Sequence, residues 1–448
     1  MPSKKPKGRP SHKTPPADKH PLEAPLQSFV DQMESLREAA PLAMFLPIAV
    51  FRKSRADISE LMKKQDSSAA TKRGKTFHPA DLGKILSQHR EFTRAREAIK
   101  LIPPSFFVYL ICIYDDLVHS IVEKTISSYP DRFFSQAPGK NDTPKTISAE
   151  LVLEANSLNE LKELLYEQEI NKLAYGHGLE PLEKLGKQLN VALRPRNELT
   201  NKLLEIVERR HCFVHFGGCA TAKYASLCQA LSISPQPKRG NYLDISQKYF
   251  NETIDVLMEL GICLAQVVWR HTGTTKPDHI SDADQWLINQ SFEFLKEHKH
   301  QLAVNIINES TRNLETCQKP EDRLYLLINK ILSLQGLGAS QDVTKLLQTI
   351  DWGTWETASP KFGLIHAALT CDVDKATALM KKLDKNSKTF DNFLIIDVYR
   401  TWPLFKQLRE TTAFTEQFKA TFKEPLIQEK PPTSNQPSAN KTTRGAQS

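Results

Sequence analysis

Apolar residues along this chain recur at steps of three and four far more often than they alternate, and that period predicts helices throughout. The clearest stripe follows Ile102-Pro103-Pro104. There Phe106, Tyr109, Leu110, Ile113, Leu117, Ile121 and Ile126 share one face of a helix predicted over 105–128, with the proline pair stopping whatever precedes it and Ser105 as its cap. Asp115 and Asp116 interrupt the stripe. Residues 26–100 also read as helical, with an apolar run from Leu42 to Phe51 broken at Pro47 and a charged segment from Arg52 to Lys75. Further helices are predicted over 157–176, 181–189, 197–216 and 246–270, and with 105–128 they make a compact bundle. The segments 136–145 and 233–244, rich in Pro, Gly and Asn, read as loops.

The polar stretch His271–Asp278, which contains both Gly and Pro, is the best domain boundary. Beyond it, short amphipathic segments alternate with brief turns over 285–296, 301–316, 320–337, 340–350, 361–369, 373–383 and 394–409. Small residues such as Ala303, Ala339, Ala367, Ala368 and Ala376 suit close helix packing, so this part reads as a degenerate tetratricopeptide-like stack without the strict repeat signature. The expected architecture is all-α. A disordered basic tail covers 1–25, a helical domain 26–271, a C-terminal helical repeat-like domain 282–424 and a disordered tail 425–448.

With 448 residues, 40% of them hydrophobic, the chain has room for two or three domains with ordinary cores. Seven cysteines without a CxxC pair, and no apolar leader, point to a reducing cytoplasm. The most apolar stretches are interrupted by Asp115, Asp116, Glu259 and Gln266, so neither reads as a membrane span. Strand–helix alternation and GxGxxG are missing, and the one Gly-Lys-Thr, Gly74-Lys75-Thr76, has Ala69 where the GxxxxGK[ST] loop has its first glycine, which argues against dinucleotide and P-loop enzymes, and no cofactor is expected. Of the net charge of +8, residues 1–20 carry +5 and residues 425–448 carry +2, which leaves +1 for the body. The basic excess thus lies in the tails, and RNA as a substrate would need a local cluster.

Candidate chemistry concentrates in Glu208-Arg209-Arg210-His211-Cys212-Phe213-Val214-His215-Phe216-Gly217-Gly218. The helix leading into it ends at the glycines, which accept the left-handed conformation after a helix C-terminus. His211 and His215, four residues apart, stack on one face beside Arg210, an arrangement an anion such as phosphate would stabilise. Two other readings stand beside this one. Such residues simply favour the negative end of a helix dipole, and the four-residue His spacing near Cys212 and Cys219 also suits zinc. The metal reading is the weaker, because Arg210 repels a cation and no acid lies between the histidines; no metal is expected.

Arg210, the polar His211, three residues and His215 resemble the Arg-polar-three-residues-His signature of the HEPN superfamily of metal-independent ribonucleases. The flanks are similar too: Glu208-Arg209, Gly217-Gly218, Lys223-Tyr224, Cys228, Ile102 to Phe107, Tyr114-Asp115-Asp116, Tyr249-Phe250 and Trp269-Arg270. The resemblance spans residues 80–271. His211 stands where that set more often has Asn, and Phe216 where a small polar residue is usual. The resemblance implies an endoribonuclease with Arg210, His215 and His211 as catalytic residues, Asp115 or Asp116 in support, and a composite site in a homodimer. It further suggests a toxin or anti-phage role, with the C-terminal helices recruiting a protein partner. The competing expectation is a non-catalytic scaffold that binds RNA, nucleotide or protein.

Overall fold

The computed structural model describes residues 19–68, 79–134, 147–176, 178–275, 277–383 and 395–426. The loop expected at 136–145 and most of both expected tails lie outside them. Among the described residues every regular element is helical, apart from one antiparallel bridge between Cys219 and Tyr242, so the chain is all-α. Two compact units divide it: residues 1–291 with 304–326, and residues 292–303 with 327–448.

The first unit holds α1 (Glu23–Ser68), α2 (Pro79–Ser128), α3 (Asp131–Phe134), α4 (Ala149–Glu154), α5 (Leu158–Ala174), α6 (Glu180–Leu189), α7 (Asn197–Phe216), α8 (Ala222–Ala230) and α9 (Gln247–Thr272). It also takes most of α10 (Pro277–Lys296), the end of α11 (His300–Thr311) and the start of α12 (Pro320–Gly336). Helix α9 is its axis. Phe250, Ile254, Leu257, Leu260, Ile262, Ala265, Val268 and Trp269 are buried nearly all the way round it, as a helix enclosed by others requires. The N-terminal half of α1 and the C-terminal half of α2 lie against α9; Arg37 of α1, for example, pairs with Asp255 at 2.6 Å. The segment leading into α1 is anchored as well, since His20 is buried with its ring stacked 4.7 Å from Trp269.

The polar segment expected as a boundary, 271–278, lies inside this unit. Buried polar ties explain why the chain beyond it still belongs. Arg270 pairs with Asp284 at 2.6 Å, and the second Asp284 oxygen accepts from the Gln318 backbone N–H at 2.8 Å. Glu259 receives Arg196 at 2.8 Å and the Asn305 amide at 2.8 Å, although burial still pushes its carboxyl above the usual range.

Helix α2 departs from expectation at Pro103-Pro104, which it runs straight through. A proline at position i leaves the carbonyl at i−4 without its N–H partner. For Pro104 that carbonyl is Lys100, and it accepts instead from the Tyr242 hydroxyl at 3.1 Å. Ser105 does not cap; its hydroxyl donates back to the Leu101 carbonyl at 2.8 Å. The Leu82–Ser128 stretch of α2 is long and apolar enough to cross a membrane. Phe107, Leu110, Ile113, Leu117 and Ile121 of this stretch are buried in the bundle, whereas Leu82, Leu86, Leu101 and Tyr109 are exposed.

The second unit contains α13 (Ser340–Gln348), α14 (Trp352–Ala358), α15 (Pro360–Leu369), α16 (Val373–Met380), α17 (Ile395–Thr401), α18 (Lys406–Arg409) and α19 (Thr412–Phe422). Ala367, Ala368 and Ala376 are buried where α15 and α16 meet, and Tyr399 gathers Phe405, Phe414, Phe418 and Phe422 into an aromatic core. On its surface Glu356 accepts from both Lys375 and His366 at 2.6 Å, and the His366 ring lies flat on Trp352 at 4.4 Å.

Candidate functional site

Helix α7 spans Asn197–Phe216 and presents three different sides. One side is core: Leu199, Leu203, Ile206 and Cys212 are buried, and Cys212 joins Ala220, Tyr224, Cys228 and Leu243 in an apolar cluster. The cysteine side chain thus faces inward rather than toward the histidines.

A second side carries an ionic network that anchors the helix. Glu205, buried, accepts from the Tyr224 hydroxyl at 2.5 Å, the Tyr249 hydroxyl at 2.6 Å and Arg209 at 3.3 Å. Arg209 also lies 3.9 Å over the Tyr249 ring and donates to the Asp244 carbonyl at 3.0 Å. Burial, and then the adjacent Glu205 carboxylate, push both tyrosine phenols well above their usual range, so they remain protonated donors. Next to Glu205, Glu208 reaches out to Lys223 at 2.7 Å. The network borders a cavity of about 990 Å³ that includes Lys202, Tyr242 and the loop Ile233–Pro237. Glu205 and Arg209 had a visible sequence signal, an acid four residues before a base on a helix. The two tyrosines that complete the set come from α8 and α9, which no local pattern indicates.

The helix ends as its glycines require. Gly217 is left-handed, with φ 58°, and the N–H groups of Gly217 and Gly218 both return to the Cys212 carbonyl. The chain then pairs briefly with the loop before α9: Leu243 N–H donates to the Gly218 carbonyl and Ala220 N–H to the Asn241 carbonyl, both at 2.8 Å. This pairing brings Tyr242 over Gly218 and against Phe213, with ring centroids 6.4 Å apart.

The third side is the one the sequence singled out. His211 and His215 bring their ring centroids to 4.7 Å, with Phe216 5.4 Å from His211. His215 is exposed, while His211 and Arg210 are half-buried. Among the described residues none of the three makes a hydrogen bond or ion pair. Asp115 and Asp116 are exposed on α2, and neither bonds to Arg210, His211 or His215. Among the described residues no three His, Cys, Asp or Glu side chains gather as metal ligands would. Two imidazoles and one guanidinium with unused hydrogen-bonding capacity can accept and donate protons and stabilise an anion. Leu204 and Val214 are exposed on the same helix, beside the histidines.

Compared with family models, curated proteins and solved structures, the chain matches none.

Proposed function

We propose that this chain is a metal-independent endoribonuclease of the HEPN type, with Arg210, His211 and His215 as its catalytic residues. The observation that carries the proposal is the pair of imidazoles at 4.7 Å on the helix turn that also carries Arg210, all three without an acidic partner among the described residues. Two other cations of this helix, Lys202 and Arg209, each pair with an acid one turn away.

In the proposed reaction a histidine takes the proton of a ribose 2′-hydroxyl, and the oxygen attacks the adjacent phosphorus. The P–O5′ bond breaks, and a second imidazole gives a proton to the departing 5′-oxygen. Arg210 stabilises the extra charge on the intervening phosphorane. Base and acid stand on opposite sides of an in-line displacement, so a second protomer facing the first would provide the two imidazoles. The exposed Leu204 and Val214 beside the histidines supply apolar surface for that homodimer. The second unit's stack of short helices is proposed as a tetratricopeptide-like recruiter of a protein partner. A cytoplasmic toxin or defence role follows from this reading.

The test is cleavage of total RNA in EDTA. His215→Ala and Arg210→Ala should each lower the rate by about 10²-fold or more, and His211→Asn less. Products should end in cyclic phosphate and 5′-hydroxyl. If both alanine variants cut as well as wild type, the assignment is wrong and a non-catalytic scaffold replaces it.

A further inference from the structure

Residues 42–101 contain thirteen Lys and Arg against six Asp and Glu, a net +7 of the chain's +8. The tails are also basic, so the remaining body is net −6. Residues 69–78, which carry +3 of this, lie outside the described residues; the fold turns the rest of the stretch into one object. Beyond Phe45, α1 leaves the bundle, and up to Leu101 the returning α2 packs back on it, with Phe51 stacked on Phe92 at 4.6 Å and Ile48 and Ile99 in one groove. Pairing 51 with 92 and 48 with 99 makes the two helices antiparallel.

Around the middle of this arm runs a belt of exposed cations: Arg52, Lys53 and Arg55 on α1, and Arg90, Arg94 and Arg96 on α2. Arg96 lies 3.7 Å from Glu97, whereas the other five make no hydrogen bond or ion pair among the described residues. Five of the six are arginines, whose planar fork suits phosphate oxygens.

We propose that this belt binds the phosphate backbone of RNA and delivers the strand to the end of α7; the choice of RNA as the anion rests on the ribonuclease reading. The root of the arm adjoins that site. The Lys100 carbonyl holds the Tyr242 hydroxyl at 3.1 Å, Tyr242 covers Gly218, and Phe107 of α2 lies 5.9 Å from Phe213 of α7. Arg96 is only about 6 Å of helix rise from Lys100.

The belt is assigned to the backbone because its cations are mostly arginines, while its two phenylalanines, Phe51 and Phe92, are half-buried against each other. An anionic membrane fits less well. A membrane-surface helix needs a continuous apolar face beside its cations. Here the arm's exposed apolar side chains, such as Leu42, Phe45 and Leu46 toward its root and Met62, Leu82 and Leu86 toward its tip, lie to either side of the belt and do not interleave with its cations among the described residues.

The experiment uses full-length protein and a fluorescent, 2′-O-methylated RNA that the proposed reaction cannot cut, with anisotropy followed over a salt series in EDTA. The triple variant Arg52→Gln, Arg55→Gln, Arg94→Gln should bind at least about tenfold more weakly, and its log K against log salt slope should fall by about two to three, at roughly 0.7–0.9 for each phosphate that is no longer neutralised. The matching Arg→Lys triple should keep the slope. Because all three sites are exposed, circular dichroism should show an unchanged unfolding midpoint. Wild-type affinity and slope in the Gln triple overturn the proposal, as does belt-dependent binding to phosphatidylserine vesicles with none to RNA. Cleavage of unmodified RNA is read separately: belt-dependent binding without cleavage supports the arm and sinks the catalytic reading, while cutting by the Gln triple as fast as wild type at sub-saturating RNA sinks the arm alone.

Discussion

The turn that closes the candidate site contains its own control, two adjacent glycines that differ in what surrounds them. Both are left-handed, Gly217 with φ 58° and Gly218 with φ 80°. Alanine at either position therefore meets a backbone penalty of about 1–2 kcal/mol. A methyl at Gly217 would meet nothing within 4 Å, so the backbone term is its whole cost. At Gly218 the methyl would lie 2.8 Å from Cε2 of Tyr242 and 2.9 Å from Cε1 of Phe213. Those rings must move, at a further cost of about 1–3 kcal/mol for overpacking. If Tyr242 swings away it also abandons the Lys100 carbonyl, about 1 kcal/mol more. The expectation is about 1–2 kcal/mol for Gly217→Ala against about 2–5 for Gly218→Ala, or about 3–6 if the Tyr242 bond is lost. Urea unfolding followed by circular dichroism measures both, and Tyr242→Ala in the Gly218→Ala background should recover part of the difference. Equal losses for the two glycine variants would mean that the Tyr242 and Phe213 rings do not confine this turn.

The network beneath the site should be costly to break: Glu205→Ala strands a mostly buried Arg209 and two phenols, for about 3–5 kcal/mol, and Tyr249→Phe removes one bond to a charged group, for about 1.5–3 kcal/mol. Losses below about 1 kcal/mol for both in urea unfolding would show that the network is idle. In the second unit, the Lys375 and His366 contacts hold the Glu356 carboxyl below its usual value of 4.5. A carboxyl whose pKa is lowered by folding contributes stability above its unfolded pKa and loses it as pH falls through the folded value. Unfolding midpoints should therefore drop on acidification below about 4.5, and Glu356→Gln should flatten that part of the profile; an unchanged profile in the variant would assign the acid sensitivity elsewhere.

Much of the helical outline is readable because its causes are local. The period of apolar residues places α7 at Asn197–Phe216, and Ser157 and Ser246 cap the helices they precede, with their hydroxyls accepting from Glu160 and Tyr249 N–H. The glycine turn is readable for the same reason. Several helices, among them Ala149–Glu154, Ala222–Ala230, Trp352–Ala358 and Thr412–Phe422, are not predicted by the apolar period.

What the sequence determined by itself was helical character, the end of α7, and the grouping of Arg210, His211 and His215, since residues so close in the chain need only a helix to meet. What only the tertiary structure decided depends on residues distant in sequence. The Pro103-Pro104 pair reads as a stop, yet Tyr242, well over a hundred positions later, satisfies the carbonyl that Pro104 leaves bare. Polar residues at 271–278 read as a boundary, yet Arg270 and Glu259 reach across to Asp284 and Asn305. Charge behaves the same way. Summed over the body it nearly vanishes, because an acidic bundle masks a basic arm, and only the pairing of α1 with α2 brings the cations of the two helices onto one arm. A local pattern cannot encode these outcomes, since each is set by which distant group arrives to satisfy a carbonyl, a carboxylate or a charge.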